Sequence, residues 1–328
     1  MTQSTSWTLL HARLHQTLRQ RKLLPPQKRV LVAVSGGQDS LCLLKLLLDL
    51  QPKWLWDLAI AHCDHGWATD FGIAAHVGEL AQTWQIPFYL QSTTQLKETE
   101  AAARQWRYQA LSEIAGEHNF AIVVTGHTQS DRAETLLYNL IRGTGADGLQ
   151  ALSWQRDLTP LVRLVRPLLN FSRGETGEFC QQFALPVWQD AANQNLNYAR
   201  NRLRSQVIPS LKAEFNPQVE TAIAQTAELL RADVEYLESC ARELFEQAQI
   251  PQQLGLNLAC LRQAPLALQR RVMRQLLKKV LQRTPNYEQI EQLTQLINAP
   301  NRSRTSSLPG GAIAEVENDS IVFRFICQ

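Results

Sequence analysis

The segment that most constrains this chain runs from Arg29 to Leu50. A hydrophobic run, Arg29 to Val34, leads straight into Ser35-Gly36-Gly37-Gln38-Asp39-Ser40 and then into a leucine-rich stretch. A short apolar run, a glycine turn and a helical period make a βα unit, the building block of a parallel sheet. Two glycines let the backbone turn tightly and bring its N–H groups close to an anion, and the dipole of the following helix favours negative charge there. The loop lacks the lysine of GxxxxGK[ST] and does not fit the dinucleotide fingerprint. A plain strand-to-helix turn capped by Asp39 or Ser40 is the simpler alternative. The complete hexapeptide between strand and helix favours phosphate binding.

The same alternation continues to about Asn139. It predicts strands at Arg29 to Val34, Leu58 to Cys63, Phe88 to Gln91 and Phe120 to Thr125, with helices over Asp39 to Leu50, Ile73 to Trp84, Lys97 to His118 and Asp131 to Ile141. The expected fold is therefore α/β, a Rossmann-like parallel sheet. Ligands in such folds sit beyond the carboxyl ends of the strands, so the loops at Ser35 to Ser40, Asp64 to Trp67 and Gly126 to Asp131 should converge. Gly143-Thr144-Gly145-Ala146-Asp147-Gly148 matches GxGxxG by letter but follows a helix, so it reads as a glycine-rich helix exit.

Beyond Pro209 and Asn216-Pro217 strand signals stop. Val219, Ile223, Leu230, Val234, Leu237, Ala241 and Leu244 form one helical stripe, followed by helices near Leu266 to Gln282 and Tyr287 to Ile297. Ala312 to Phe325 alternates around Glu317-Asn318-Asp319-Ser320 as a hairpin would. The expected division is a catalytic domain over residues 1–216 and a smaller, mainly helical domain over 217–328 that ends in that hairpin, within the 328-residue chain. Two cores are what a chain of this length supports.

The formal charge of +3, from 33 basic and 30 acidic residues, is too small to argue for nucleic acid, so any basic surface must be local. Cys42, Cys63, Cys180, Cys240, Cys260 and Cys327 form no CxxC pair, and read as buried thiols in a reducing compartment. The N-terminus lacks the apolar core and cleavage site of a secretory signal, and no stretch reaches the ~18 apolar residues of a membrane span. A cytoplasmic protein is expected.

The Ser35 to Ser40 loop resembles that of the N-type ATP pyrophosphatases, the PP-loop superfamily, whose shared reaction is adenylation of a carbonyl oxygen. Four further segments narrow the resemblance: His62-Cys63-Asp64-His65-Gly66; Ala103-Arg104-Gln105-Trp106-Arg107-Tyr108; Thr125-Gly126-His127 leading to Asp131-Arg132-Ala133-Glu134-Thr135 and on to Arg142-Gly143-Thr144-Gly145; and Arg166-Pro167-Leu168-Leu169, Asp190, Asn193, Arg200-Asn201 and Arg204. Together they are similar to the tRNA(Ile)-lysidine synthase family from about residue 29 to 215. Membership implies ATP and Mg²⁺, L-lysine, and an isoleucine tRNA with a CAU anticodon. ATP would adenylate the C2 oxygen of the wobble cytidine, and lysine would then displace AMP to leave lysidine. A homodimer is compatible with this reading. Where the family carries paired histidines and adjacent aspartates in the fourth loop, this chain has His127-Thr128 and Ser130-Asp131, one ligand fewer.

On that resemblance Ser35, Gly36, Gly37, Gln38, Asp39 and Ser40 bind ATP, with Asp39 a carboxylate for Mg²⁺. Asp131 and Glu134 are the candidate acidic pocket for lysine, or carboxylates that hold Mg²⁺ against the ATP phosphates, although Asp-x-x-Glu opening a helix also fits a capping box. His65, Arg107, His127, Arg200, Asn201 and Arg204 are the candidate substrate- or tRNA-binding residues. His62, Cys63 and His65 lack the second ligand pair of a zinc site. Arg270, Arg271, Arg274 and Lys278 would fall within about a 100° arc of one helix, a candidate basic stripe. A related tRNA thiolase would need paired cysteines for a persulfide or cluster. A non-catalytic nucleotide-binding module would leave Asp131, Glu134 and the second domain without a role.

Overall fold

The structure is a computed structural model that describes residues 7–67, 70–189, 195–251 and 253–325. Asp190, Asn193 and Cys327 lie outside the described residues. The chain divides into two compact units, Met1–Leu229 and Leu230–Gln328.

In the first unit α1 (Leu9–Gln20) precedes β1 (Arg29–Ala33), α2 (Gln38–Trp54), β2 (Asp57–Asp64), α3 (Ile73–Thr83), β3 (Phe88–Ser92), α4 (Glu100–Glu117), β4 (Ile122–Thr125) and α5 (Gln129–Ile141). There follow α6 (Ala146–Leu149), β5 (Gln155–Asp157), β6 (Arg163–Val165), α7 (Arg173–Gln182), α8 (Ala199–Arg202), a π-helical turn (Leu203–Val207), α9 (Ile208–Glu214) and the start of α10 (Val219–Ala248), which runs across the division. The strand order is β3-β2-β1-β4-β6-β5, and every pairing is parallel except β5 with β6.

The register explains why β1, β2 and β4 are apolar on both faces. Val30 and Val32 pair with Leu58 and Ile60 on one side and with Ile122 and Val124 on the other, and all six belong to the core shared with α2 and α7. The alternate residues Leu31, Ala59, Ala61 and Val123 face the second core, which contains Leu111 and Ile114 of α4. A sheet covered on both faces needs such continuous apolar strands. The order reverses between β1 and β4, so the loops after those strands open a crevice at the switch point.

Several elements differ from the sequence-based expectation. α5 begins at Gln129 rather than Asp131, because Thr128 is the N-cap and Asp131 its reciprocal partner. α1, β5, β6 and α7 were not anticipated. The second unit also holds a strand, β7 (Gly255–Asn257), where only helices were expected ahead of the hairpin. After β7 come α11 (Leu258–Arg262), α12 (Leu266–Leu281), α13 (Tyr287–Leu296) and the hairpin β8 (Ala312–Glu317) and β9 (Ser320–Phe325), in the sheet order β7-β9-β8. Its core is built from Phe245, Leu256, Met273, Leu277, Leu293, Ile297 and Ile321. The basic stripe on α12 carries its own counter-ions: Arg270 pairs with Glu291 at 2.6 Å, and Arg271 and Arg274 with Glu238 at 2.8 and 2.5 Å. Among the described residues no helix is long and apolar enough to cross a membrane.

Candidate active site

The loop after β1 owes its shape to two glycines. Gly36 sits at φ +83, and its carbonyl accepts the Trp188 N–H at 3.0 Å. Gly37 starts α2 without any side-chain cap, so the first N–H groups of a long helix are left for an anion. Ser40 ties the turn from within, its Oγ donating to the Gly37 carbonyl at 2.8 Å and accepting the Ser35 N–H at 3.2 Å. Gln38 turns the other way and donates from Nε2 to the Arg173 carbonyl at 2.7 Å, which fastens the loop to α7.

Asp39 is 15 % exposed, its Oδ1 accepting from Thr176 Oγ1 at 2.5 Å and its Oδ2 standing 3.7 Å from Arg173. Burial holds its carboxyl above the usual range; Arg173 and Thr176 oppose this, and the neighbouring Asp131 reinforces it. Gly126, after β4, packs directly on this turn: a Cβ there would lie 2.8 Å from the Asp39 carbonyl oxygen. Gly126→Ala should therefore cost about 1–3 kcal/mol through overpacking and impair nucleotide binding as the turn is displaced. Thermal unfolding with and without ATP measures both effects, and wild-type values in each would show that the turn tolerates the methyl group.

Asp131 Oδ2 accepts from the Thr128 N–H at 2.7 Å and from Thr128 Oγ1 at 2.8 Å. The capping box is thus Thr128 with Asp131, and Glu134 has no part in it. Glu134 is 1 % exposed and is gripped by Arg204, whose Nε donates to Oε1 at 2.6 Å and Nη2 to Oε2 at 2.8 Å. Arg204 Nη2 also reaches Asp131 Oδ1 at 3.4 Å. Burial raises the Glu134 carboxyl while Arg204 pulls it back. Asp131 is half-buried, which opposes its ionisation, yet the Thr128 N–H and Arg204 hold its carboxyl below the ordinary range. His127 is driven down to about 3 by burial and by Arg166, so it is neutral; its Nδ1 bonds Thr125 Oγ1 at 2.8 Å.

Most of these groups surround a cleft of about 340 Å³, within the range of small-molecule sites. Ser35, Gly37, Gln38, Asp39, Ser40, His65, Arg107, His127, Asp131 and Arg204 line it. Gly36 shapes the loop without lining the cleft, and Glu134 lies behind Arg204. Arg200 and Asn201 are not in the lining: Arg200 pairs with Glu100 at 2.8 Å, and Asn201 Nδ2 donates to the Asn195 carbonyl at 2.9 Å. His65 is stacked on Trp67, its Nδ1 3.2 Å from Asp70. Arg173 and Asp70 also line the cleft without a signal noted in the sequence, as does Tyr108, which the sequence offers only as the end of the Ala103 to Tyr108 segment. Ser172-Arg173-Gly174-Glu175 is a capping box, a signal that would have exposed α7 and hence Arg173. Among the described residues no group of three or more His, Cys, Asp or Glu side chains could hold a metal.

A glycine turn that opens a long helix at the switch point of a mostly parallel sheet, with Asp131 across the cleft, fits a nucleotide-consuming enzyme of the PP-loop class, and residues 8–211 match the PP-loop domain family. Residues 256–321 match the TilS substrate binding domain. The chain is 60 % identical to a tRNA(Ile)-lysidine synthase of Nostoc sp. over 97 % of both chains, and 56 % identical to that of Synechocystis sp. over 98 % of this chain and 99 % of the relative. It belongs to the tRNA(Ile)-lysidine synthase family. A chloroplastic relative from Zygnema circumcarinatum shares 37 % identity over 86 % of this chain and 78 % of its own. Among solved structures, the U34-tRNA thiolase NcsA from Methanococcus maripaludis aligns with a TM-score of 0.58 over 67 % of this chain and 77 % of its own, at 18 % identity, a likeness of fold.

Proposed function

We infer that this chain is an ATP-dependent ligase that joins lysine to C2 of the wobble cytidine in the CAU anticodon of an isoleucine tRNA, forming lysidine through a tRNA adenylate and releasing AMP and pyrophosphate. The observation that carries the reading is a single cleft in which the turn Ser35 to Ser40 faces Asp131, with Arg204 bridging Asp131 to the buried Glu134 behind it. One end suits the ATP phosphates and the other an ammonium.

In the first step the cytidine O2 forms a bond to the α-phosphorus and the bond to pyrophosphate breaks. The turn and the α2 N-terminus hold the phosphates, and Arg173 stands beside them to offset developing charge. Asp39 suits Mg²⁺, because such ions favour one or two carboxylates together with phosphate oxygens; when bound, the ion would neutralise phosphate charge. In the second step the lysine ε-nitrogen bonds to C2 and AMP leaves. Lysine, with a pKa near 10.4, must first lose a proton, which costs about 5 kcal/mol at neutral pH if unaided. Asp131, which lines the cleft, is the group placed to orient the ammonium and take that proton, and Glu134 acts on it from behind through Arg204. Cys63 lines the cleft, but burial pushes its thiol up to about 12, which suits a packing role better than a thiolate or persulfide.

The division of labour we propose assigns the chemistry to residues 1–216 and tRNA retention to 217–328, with His65, Arg107, Arg200 and Asn201 as further tRNA contacts, in a cytoplasmic enzyme. Supply of ATP, lysine and tRNA should yield AMP and pyrophosphate in proportion to modified tRNA. ADP and phosphate as products would rule the adenylation step out.

A further inference from the structure

Arg104 and Arg107 on α4, Arg156 on the edge strand β5 and Arg166 just after β6 come together around Tyr108. The Arg156 guanidinium lies 4.5 Å and that of Arg104 5.3 Å from the Tyr108 ring centre. Arg166 Nη2 approaches the Tyr108 hydroxyl at 3.5 Å. Arg166 is 1 % exposed; its Nη1 donates to the Ser153 carbonyl at 2.8 Å, and its Nε is buried with no partner. None of the four arginines forms an ion pair with a carboxylate among the described residues, whereas Arg173 and Arg204 in the cleft lining each do.

Gathering unpaired guanidiniums in a partly buried place is unfavourable in the free protein. Burial lowers the pKa of Arg104, and Arg200, Arg107 and Arg156 lower it further. For Arg166, burial is again the largest cause, with Arg156 and Arg104 adding to it. Burial pushes the Tyr108 phenol up, but Arg104 and Arg166 pull it below its ordinary value. Each shift means that the cluster would be relieved by an arriving negative charge.

We propose that Arg104, Arg156 and Arg166, around Tyr108, are a phosphate subsite for the RNA strand whose base enters the cleft. Tyr108 and Arg107 connect the cluster to the cleft lining, while Arg156 is exposed at the sheet edge, where a polymer backbone can pass. The ATP phosphates have their own anion site at the α2 N-terminus. That helix packs in the core on one face of the sheet, and α4 packs in the core on the other. Planar guanidiniums match phosphate oxygens in pairs, and backbone contacts fix the register of a strand without reading its bases. The subsite deepens the ligase reading and rests on it for the identity of the strand.

The test uses the full chain, with Arg156→Gln, Arg104→Gln and the double variant, each verified as folded by thermal unfolding. An anticodon stem-loop RNA carrying CAU is titrated at several salt concentrations, and ATP and inorganic pyrophosphate are titrated separately. Each substitution should weaken RNA binding about three- to tenfold and flatten the plot of log affinity against log salt by about 0.7–1, with ATP and pyrophosphate binding kept. RNA affinity and salt slope equal to wild type would overturn the subsite, and weakened pyrophosphate binding with RNA binding intact would assign the cluster to the nucleotide instead. Arg156 is exposed, so Arg156→Gln decides the matter alone if Arg104→Gln fails to fold. Loss of RNA affinity in a protein whose wild type transfers no lysine would leave the subsite standing and sink the ligase reading.

Discussion

Asp39→Asn is expected to slow tRNA-dependent ATP consumption by roughly a hundredfold or more, the usual scale for removing one preorganised charge from a water-poor site. The substitution keeps the shape of the side chain, and Asn can still accept from Thr176, which bonds Asp39 Oδ1 at 2.5 Å. The turn should therefore survive, and tRNA affinity with it. What disappears is the negative charge beside the phosphates. Quench-flow measurement of AMP release alongside tRNA binding separates the two effects. Weakened tRNA binding with ATP consumption intact would move Asp39 out of the phosphate site.

The second large effect is expected at the buried pair. Glu134→Gln should slow lysine transfer more than adenylation, so that adenylated tRNA accumulates, and raising the pH should partly restore turnover because more free lysine is already neutral. Arg204→Met acts differently, since it leaves a buried carboxylate without its cation. The expected stability loss is up to about 3 kcal/mol, the lower end for a broken buried pair, with proton uptake by Glu134 limiting it. Burial already raises the Glu134 carboxyl, and Arg204 opposes that rise, so without Arg204 its folded-state pKa climbs further above the unfolded value of about 4.3. The penalty is then absent below that unfolded value and reaches its full size once the pH exceeds the folded-state pKa. The gap in thermal stability between Arg204→Met and wild type should accordingly narrow on acidification. A gap that is constant or widens as pH falls would show that the Arg204–Glu134 pair does not set it.

Much of the first unit was legible in the sequence because its signals are local. The apolar runs of β1, β2 and β4 and the leucines of α2 announce themselves, and the switch-point rule then brings Ser35, Asp64 and Gly126 to one edge of the sheet. The first-unit strands beyond that pattern are short or exposed. β5 is three exposed residues and β6 has only Leu164 and Val165 buried, too little for a period to register. The start of α5 was misplaced because Thr128, not Asp131, supplies the cap. The Arg204–Glu134 contact joins residues 70 positions apart, and no helical or strand period encodes such a pairing. The same holds for the arginines around Tyr108, which come from three separate elements.

The most direct measurement incubates the protein with ATP, radiolabelled lysine and two purified transcripts, the isoleucine tRNA with a CAU anticodon and the methionine tRNA with the same anticodon. Label should enter the isoleucine tRNA one-for-one with AMP released, and digestion should return it as a lysine-bearing cytidine from the wobble position. Release of AMP with no label in either tRNA, or no dependence on lysine, would contradict the assignment of Asp131 and Glu134 to lysine and of the chain to lysidine formation.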